Sequence, residues 1–295
     1  MEIPDFLKDF LIKNEFILKE VIQHSKWKKT FVLKIANEND DFILKAVSNI
    51  SPLRIKSKFI TEANVYLKNS NNYVPNLVLS TDAVIITEYI KGKTLREYLN
   101  EGENIHEIIE SLVLAIQTFY EENKSEHNGA KSFEIAYANI SSLAQSGPYQ
   151  TKTLSLFDKV INKIIAFVLK LKLKKALVNI NQNNLKPCFA HGDFHYNNIF
   201  VTTNKNIKFI DFENVVYNEY FDFDILYLLT MIEAKVGRAE ISRTITNKMM
   251  SLINDKEGLK PIYDLYRIAA SVNPRFSKDS LKAHQKLLLL VRLIP

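Results

Sequence analysis

Cysteine and glycine are both scarce in this chain, and each shortage closes off a class of protein. Cys188 is the only cysteine among 295 residues, so no intrachain disulfide can form and a disulfide-stapled secreted scaffold is excluded. A cysteine-based zinc site lacks its ligands for the same reason. The seven glycines all lie from position 92 onward, so no glycine-rich phosphate loop precedes the early strands. No apolar run approaches the ~20 residues that span a bilayer, and Met1-Glu2-Ile3-Pro4-Asp5 does not open like a signal peptide. The expectation is a cytoplasmic protein.

Beyond these absences the composition is that of a globular enzyme-sized chain, 46% hydrophobic and 24% charged, long enough to bury a large core in one or two domains. The formal net charge is +6, yet the 39 basic residues are scattered, with no run longer than two. No nucleic-acid partner is expected. Five lysines do collect from Lys163 to Lys175, in a segment that also holds Phe157, Ile161, Ile164, Ile165, Val168 and Leu171. That spacing predicts a core helix with a basic solvent face.

The most specific stretch is His191-Gly192-Asp193-Phe194-His195-Tyr196-Asn197-Asn198, with Asp211 following Ile207-Lys208-Phe209-Ile210. An aspartate, an asparagine five residues on and a second aspartate eighteen residues on are the parts that phosphoryl transfer from a magnesium-bound nucleotide requires. Asp193 is expected to face an acceptor hydroxyl and take its proton. The Asn198 amide oxygen and the Asp211 carboxylate are hard oxygen ligands suited to Mg²⁺. Ile199-Phe200-Val201 and Ile207 to Ile210, joined by Thr202-Thr203-Asn204-Lys205-Asn206, read as a hairpin, which sets Asn198 before one strand and Asp211 after the other.

These residues resemble the aminoglycoside phosphotransferase and choline kinase family, whose loop reads H-G-D-x-H-x-x-N and whose metal aspartate opens an I-D-F/W-E segment, here Ile210-Asp211-Phe212-Glu213. Protein kinases carry H-R-D and D-F-G with similar spacing. Gly192, His195 and Glu213, and the lack of an alanine-proline-glutamate segment, point to the small-molecule branch. The resemblance implies an α+β, protein-kinase-like fold in two lobes. A small antiparallel sheet with one helix is expected over residues 1–91, binding ATP or GTP, and a larger, mainly helical lobe over 92–295, with the catalytic loop and acceptor pocket.

The N-terminal part can be read independently for such a lobe. Thr30 to Ala36 and Asp41 to Val47 are apolar, β-branched runs joined by Asn37-Glu38-Asn39-Asp40, a hairpin signature. Period two puts Ile43, Lys45 and Val47 on one face. Lys45 is either an edge lysine snorkelling to water or, because Phe42-Ile43-Leu44-Lys45 is similar to the kinase strand whose lysine reaches the nucleotide phosphates, the group that does so here. Phe59, Ile60, Ala63 and Leu67 recur at helical spacing, with Glu62 beside them. In the kinase plan that helix carboxylate pairs with the strand lysine.

Val84 to Ile90 looks like the last strand of the lobe, broken by Lys91-Gly92-Lys93-Thr94-Leu95 before a helix. This is similar to the family hinge, so an adenine is expected to meet backbone groups of about Glu88, Tyr89 and Ile90. In place of a glycine-rich loop stands Gln23 to Lys29, where Lys26, Lys28 or Lys29 could face phosphates. Ile105 to Tyr120 reads as an amphipathic helix and Glu121 to Gln150 as a polar stretch of lower periodicity, with turns at Asn128-Gly129 and Ser146-Gly147-Pro148.

His191 and His195 are expected to support the loop, and Asp224, or else Asp222, to brace it from the start of the next helix. The predicted activity is phosphorylation of a small-molecule hydroxyl, of a sugar or glycan precursor. Choline, ethanolamine or aminoglycoside phosphorylation is the second reading, and a non-catalytic kinase-like binding protein the third.

Overall fold

The computed structural model describes residues 3–25, 29–48, 51–69, 72–123, 133–144, 155–180, 187–236, 243–253, 255–273 and 281–293. In chain order, α1 (Asp5–Lys13) precedes β1 (Ile17–Ser25), β2 (Thr30–Ala36), β3 (Asp41–Val47), α2 (Leu53–Lys68), β4 (Leu77–Ser80), β5 (Val84–Glu88) and β6 (Gly92–Thr94). Then come α3 (Leu95–Asn100), α4 (Ile109–Glu122), α5 (Glu134–Ala144), α6 (Leu156–Val178), β7 (Pro187–Ala190), β8 (Ile199–Thr202), β9 (Ile207–Phe209) and β10 (Val216–Tyr220). α7 (Asp222–Val236), α8 (Arg243–Ser251), α9 (Lys256–Ser271) and α10 (Ala283–Leu293) follow. Two compact units result, Met1–Lys93 with Phe200–Asn214, and Thr94–Ile199 with Val215–Pro295.

The first unit is built on an antiparallel sheet in the order β1-β2-β3-β5-β4. β2 and β3 pair without a slip from Thr30↔Val47 to Ala36↔Asp41. Their turn is held by Asn37, whose side-chain oxygen accepts from the amides of Asn39 and Asp40, a local bond that favours turn over strand. Alternation then sorts the side chains. Phe31, Leu33, Ile35, Phe42, Leu44, Ala46, Val84 and Ile86 form one buried face, and Ile3, Leu7 and Leu11 of the α1 segment pack into that cluster. The helix expected for this unit, α2, is thus joined by a second, α1, whose short pattern of Leu7 and Leu11 covers the sheet.

On the opposite parity Lys45 lies in a cross-strand row between Val32 and Ile85. α2 supplies Ile55, Phe59, Glu62, Ala63, Val65 and Tyr66 as its buried set. Ile60 and Leu67, expected on that face, are exposed. Glu62 is therefore inside the buried stripe rather than beside it, since the charge that sequence patterning assigns to solvent has a partner within. β5 also stops two residues early, at Glu88. A second sheet, β6-β8-β9, contains the anticipated hairpin, which ends at Phe209.

The second unit is helical, centred on α7, where Phe223, Ile225, Leu226, Leu228, Leu229 and Ile232 are all buried. Buried polar side chains tie the helices of this unit together. Asn139 of α5 donates to the Phe223 carbonyl at 3.2 Å, and Asn273 donates to the Leu143 carbonyl at 2.9 Å. α5 lies in the stretch expected to be polar, yet Ile135, Ile140 and Leu143 are buried. The turns expected at Asn128-Gly129 and Ser146-Gly147-Pro148 fall outside the described residues. β7 pairs with β10, a strand that its mixed sequence Val-Tyr-Asn-Glu-Tyr did not announce.

In α6 the buried stripe is Ile161, Ile165, Leu169, Leu173 and Leu177. Phe157, Ile164 and Leu171, assigned to the core from their spacing, are exposed. The helix has two apolar stripes, and spacing alone merged them.

Candidate active site

The first unit gathers one amine and three carboxylates. Lys45 Nζ bonds Glu62 Oε2, lies 2.9 Å from Asp211 Oδ1 and 3.7 Å from Glu213 Oε2. β3 aims the lysine, α2 brings the glutamate, and the turn after β9 brings Asp211. The Tyr66 hydroxyl donates to Glu62 Oε1 at 3.3 Å and accepts the Asp211 amide at 3.4 Å. Tyr66 also meets Phe212 edge-on. Sequence reasoning missed Tyr66, though its place one helical turn after Glu62 was a usable signal.

Charge explains the protonation of this cluster. Burial works against the Lys45 ammonium, but the carboxylates of Glu62, Asp211 and Glu213 hold its pKa well above the ordinary value. Glu62 is pushed up to about 7, by burial first, with Lys45 drawing it back down and Asp211 repelling it. One cation shared among three carboxylates does not fully offset the desolvation of the buried Glu62. Asp211 itself sits at φ 64°, in the left-handed region that, after glycine, asparagine and aspartate enter most readily.

At the end of β5, Glu88 is fastened by Lys208 of β9 and by Asn76, whose Nδ2 donates at 2.7 Å. Lys208 also donates to the Val74 carbonyl at 3.2 Å. The backbone amides of Glu88 and Tyr89 bond the carbonyls of Asn76 and Asp41. Of the three residues expected to meet an adenine, two therefore have their N–H groups committed to the fold. Ile90 is buried. Lys26 and Lys28 lie outside the described residues, and Lys29 is an exposed turn residue at φ 54°.

The second unit holds the loop. His191 is wholly buried, and its amide donates to Asp224 Oδ2 at 2.7 Å. The Tyr120 hydroxyl donates to the same oxygen at 3.2 Å. Asp224 thus holds the loop backbone at His191. Its carboxyl is raised to about 7 because it is fully buried, with the His191 amide and Tyr120 hydroxyl pulling the other way. Tyr120 was invisible in the sequence, being 104 residues from its partner.

Further along, Asn198 Nδ2 donates to the Asp193 carbonyl at 2.9 Å, which leaves Oδ1 as its other amide atom. The His195 Nδ1 accepts the Asn197 amide at 3.1 Å, so the neutral ring carries its proton on Nε2. That nitrogen is 3.6 Å from Asp193 Oδ1. Among the described residues no three of histidine, cysteine, aspartate and glutamate gather as a metal site. Cys188 is buried.

Comparison with known proteins gives this geometry its context. The family model described as the phosphotransferase enzyme family matches residues 28–245. No curated protein sequence matches the chain. Among solved structures it is similar to a choline kinase from Cryptosporidium parvum, with 14% identity, 98% of this chain and 94% of that one covered, and a TM-score of 0.58. An ethanolamine kinase from Plasmodium vivax shows 14% identity over 99% and 84% of the two chains, with a TM-score of 0.55. The streptomycin–ATP–APH(2'')-IIa ternary complex shows 15% identity over 99% and 97%, with a TM-score of 0.54. At such identities the structures share a fold, α+β and protein-kinase-like. The family match covers residues 28–245, a span that holds Lys45, the loop from His191 to Asn198 and Asp211, and so this chain belongs to the phosphotransferase enzyme family, as a kinase whose acceptor is a hydroxyl group.

Proposed function

We propose that the enzyme moves the γ-phosphate of ATP, bound with Mg²⁺, to a hydroxyl of a sugar or glycan precursor. The observation that carries the reading is Lys45, an ammonium fixed by Glu62 and turned toward Asp211. Such a preorganised cation neutralises phosphate charge with little rearrangement during transfer. Asp193 is the base that orients the acceptor hydroxyl and takes its proton. Asn198 Oδ1 and the Asp211 carboxylate fit magnesium, because both are oxygen donors and this ion completes its shell with water and phosphate. When bound, the ion neutralises charge on the phosphates. His191, His195 and Asp224 keep the loop in place. Glu88, Tyr89 and Ile90 flank the base, and GTP is the alternative donor.

The acceptor class rests on charge. Choline, ethanolamine and streptomycin, named with the similar structures, are cations, whereas this chain carries a net +6 and repels cations at long range. Phosphorylation of an amino alcohol or aminoglycoside is the second reading, favoured by those same similarities.

The test incubates the protein with Mg²⁺, labelled ATP or GTP, and separate pools of sugars, amino alcohols and aminoglycosides, beside an Asp193→Ala control. Label entering the sugar pool with wild type alone supports the proposal. Label in an amine pool selects the second reading. No transfer to any pool, with no nucleotide binding, overturns both.

A further inference from the structure

α6 is 23 residues long, about 34 Å at ~1.5 Å per residue, and it is apolar on two opposite sides. One stripe is buried in the second unit. The other consists of Phe157, Val160, Ile164, Phe167, Leu171 and Val178, all exposed, with Phe157 at 53%, Phe167 at 62% and Val178 at 79%. Their steps of three, four, three, four and seven residues keep them on one line along the helix. Isolated exposed apolar residues are normal on a protein surface, but a continuous stripe of this length marks a contact.

The borders of the stripe identify what it contacts. α6 carries six lysines, Lys159, Lys163, Lys170, Lys172, Lys174 and Lys175, against a single acid, Asp158, and that acid is held by Lys286 at 3.0 Å. At ~100° per residue, Lys163, Lys170 and Lys174 run along one border, and Lys172 and Lys175 lie toward the other. A second copy of this chain laid on the stripe would press lysine against lysine. An apolar ridge edged by flexible cations matches the chemistry of an anionic bilayer: aromatic and aliphatic groups enter the acyl boundary while the lysines extend to headgroup phosphates.

We propose that the outward face of α6 is a membrane-docking surface for bilayers containing anionic lipid, with the helix lying in the interface plane. The surface is separate from the residues assigned to phosphoryl transfer, and the proposal stands whatever the acceptor.

The test is co-sedimentation of the full chain with phosphatidylcholine vesicles and with vesicles of phosphatidylcholine mixed with phosphatidylglycerol. Wild type is expected to partition onto the anionic vesicles at least about tenfold more strongly than onto the neutral ones, and to be released by added salt. Phe167→Asp, at an exposed position, should weaken this about tenfold or more with an unchanged melting temperature. Lys163→Glu combined with Lys174→Glu should do the same through the charge arm. Wild type remaining in the supernatant overturns the proposal, as does equal binding by wild type and both variants. A dimer in sedimentation velocity that Phe167→Asp disperses, without vesicle binding, also overturns it and makes the stripe an interface between copies.

Discussion

At the scale of single residues, the energetics turn on a few buried charges. Lys45 is nearly enclosed by Glu62, Asp211 and Glu213, and Lys45→Met removes the one cation that, among the described residues, pairs with these three carboxylates, while leaving the anions. The expected result is a fall in kcat of about 10²-fold or more, with the acceptor KM little changed, measured by steady-state kinetics on whichever acceptor proves active. Asp224 supports a pH prediction. Its folded-state pKa of about 7 lies above the ordinary 3.8, so between those values the folded chain holds a proton that the unfolded chain has lost. Stability from this group is complete below ~4 and declines as pH rises through about 7. The upper bound of the decline is ~4 kcal/mol, from ~1.4 kcal/mol per unit. Asp224→Asn should flatten the stability–pH curve from ~4 to ~7, while Glu62, raised to a similar value, keeps part of the slope. Denaturant titrations across that range check it, and an unaltered slope would reject the assignment.

At the scale of elements, a glycine decides how closely two strands approach. A β-carbon at Gly92 would overlap the Val201 carbonyl and lie 2.8 Å from the Thr202 Cα, both rigid backbone. Gly92→Ala should therefore push β6 from β8, at a cost of about 1–3 kcal/mol, read as a melting temperature several degrees lower. The hairpin of β8 and β9, the β2–β3 pair and the α3 start were legible in the sequence because each has a local cause: alternation, turn chemistry, and the capping box between Thr94 and Glu97. The faces of α2 and α6 were misjudged because periodicity finds apolar positions without saying which stripe the fold buries. In α2 the buried position went to Glu62, whose partner is seventeen residues away and contributes no local signal.

For the molecule as a whole, the order of the chain and the order of the fold differ. Phe200–Asn214 belongs to the first unit because its backbone is sewn there: Thr203 N donates to the Lys91 carbonyl at 3.0 Å and Phe209 N to the Tyr73 carbonyl at 2.7 Å. Such pairings over more than a hundred residues leave no trace in local composition, whereas the meeting of Lys45 with Glu62 and Asp211 was legible because the proposed chemistry restricts those positions to few residue types. The family match ends at residue 245, yet α9 beyond it buries Leu259, Ile262, Tyr266 and Ala269, and Tyr266 donates to the Ala136 carbonyl at 3.4 Å. A chain cut after residue 245 should lose the cooperative thermal transition of the full chain, since removing those side chains opens the core of the second unit. Calorimetry of the two chains checks this, and a sharp transition in the shorter one would show that α9 is dispensable.

The lone thiol has a practical consequence. Cys188 is 2% exposed, and burial pushes its pKa up, so it is both hidden and undissociated at neutral pH, when only a thiolate reacts quickly with an alkylating dye. The native chain is therefore a nearly silent background for labelling, and a cysteine placed at an exposed site could carry a fluorophore or spin probe without first deleting any other.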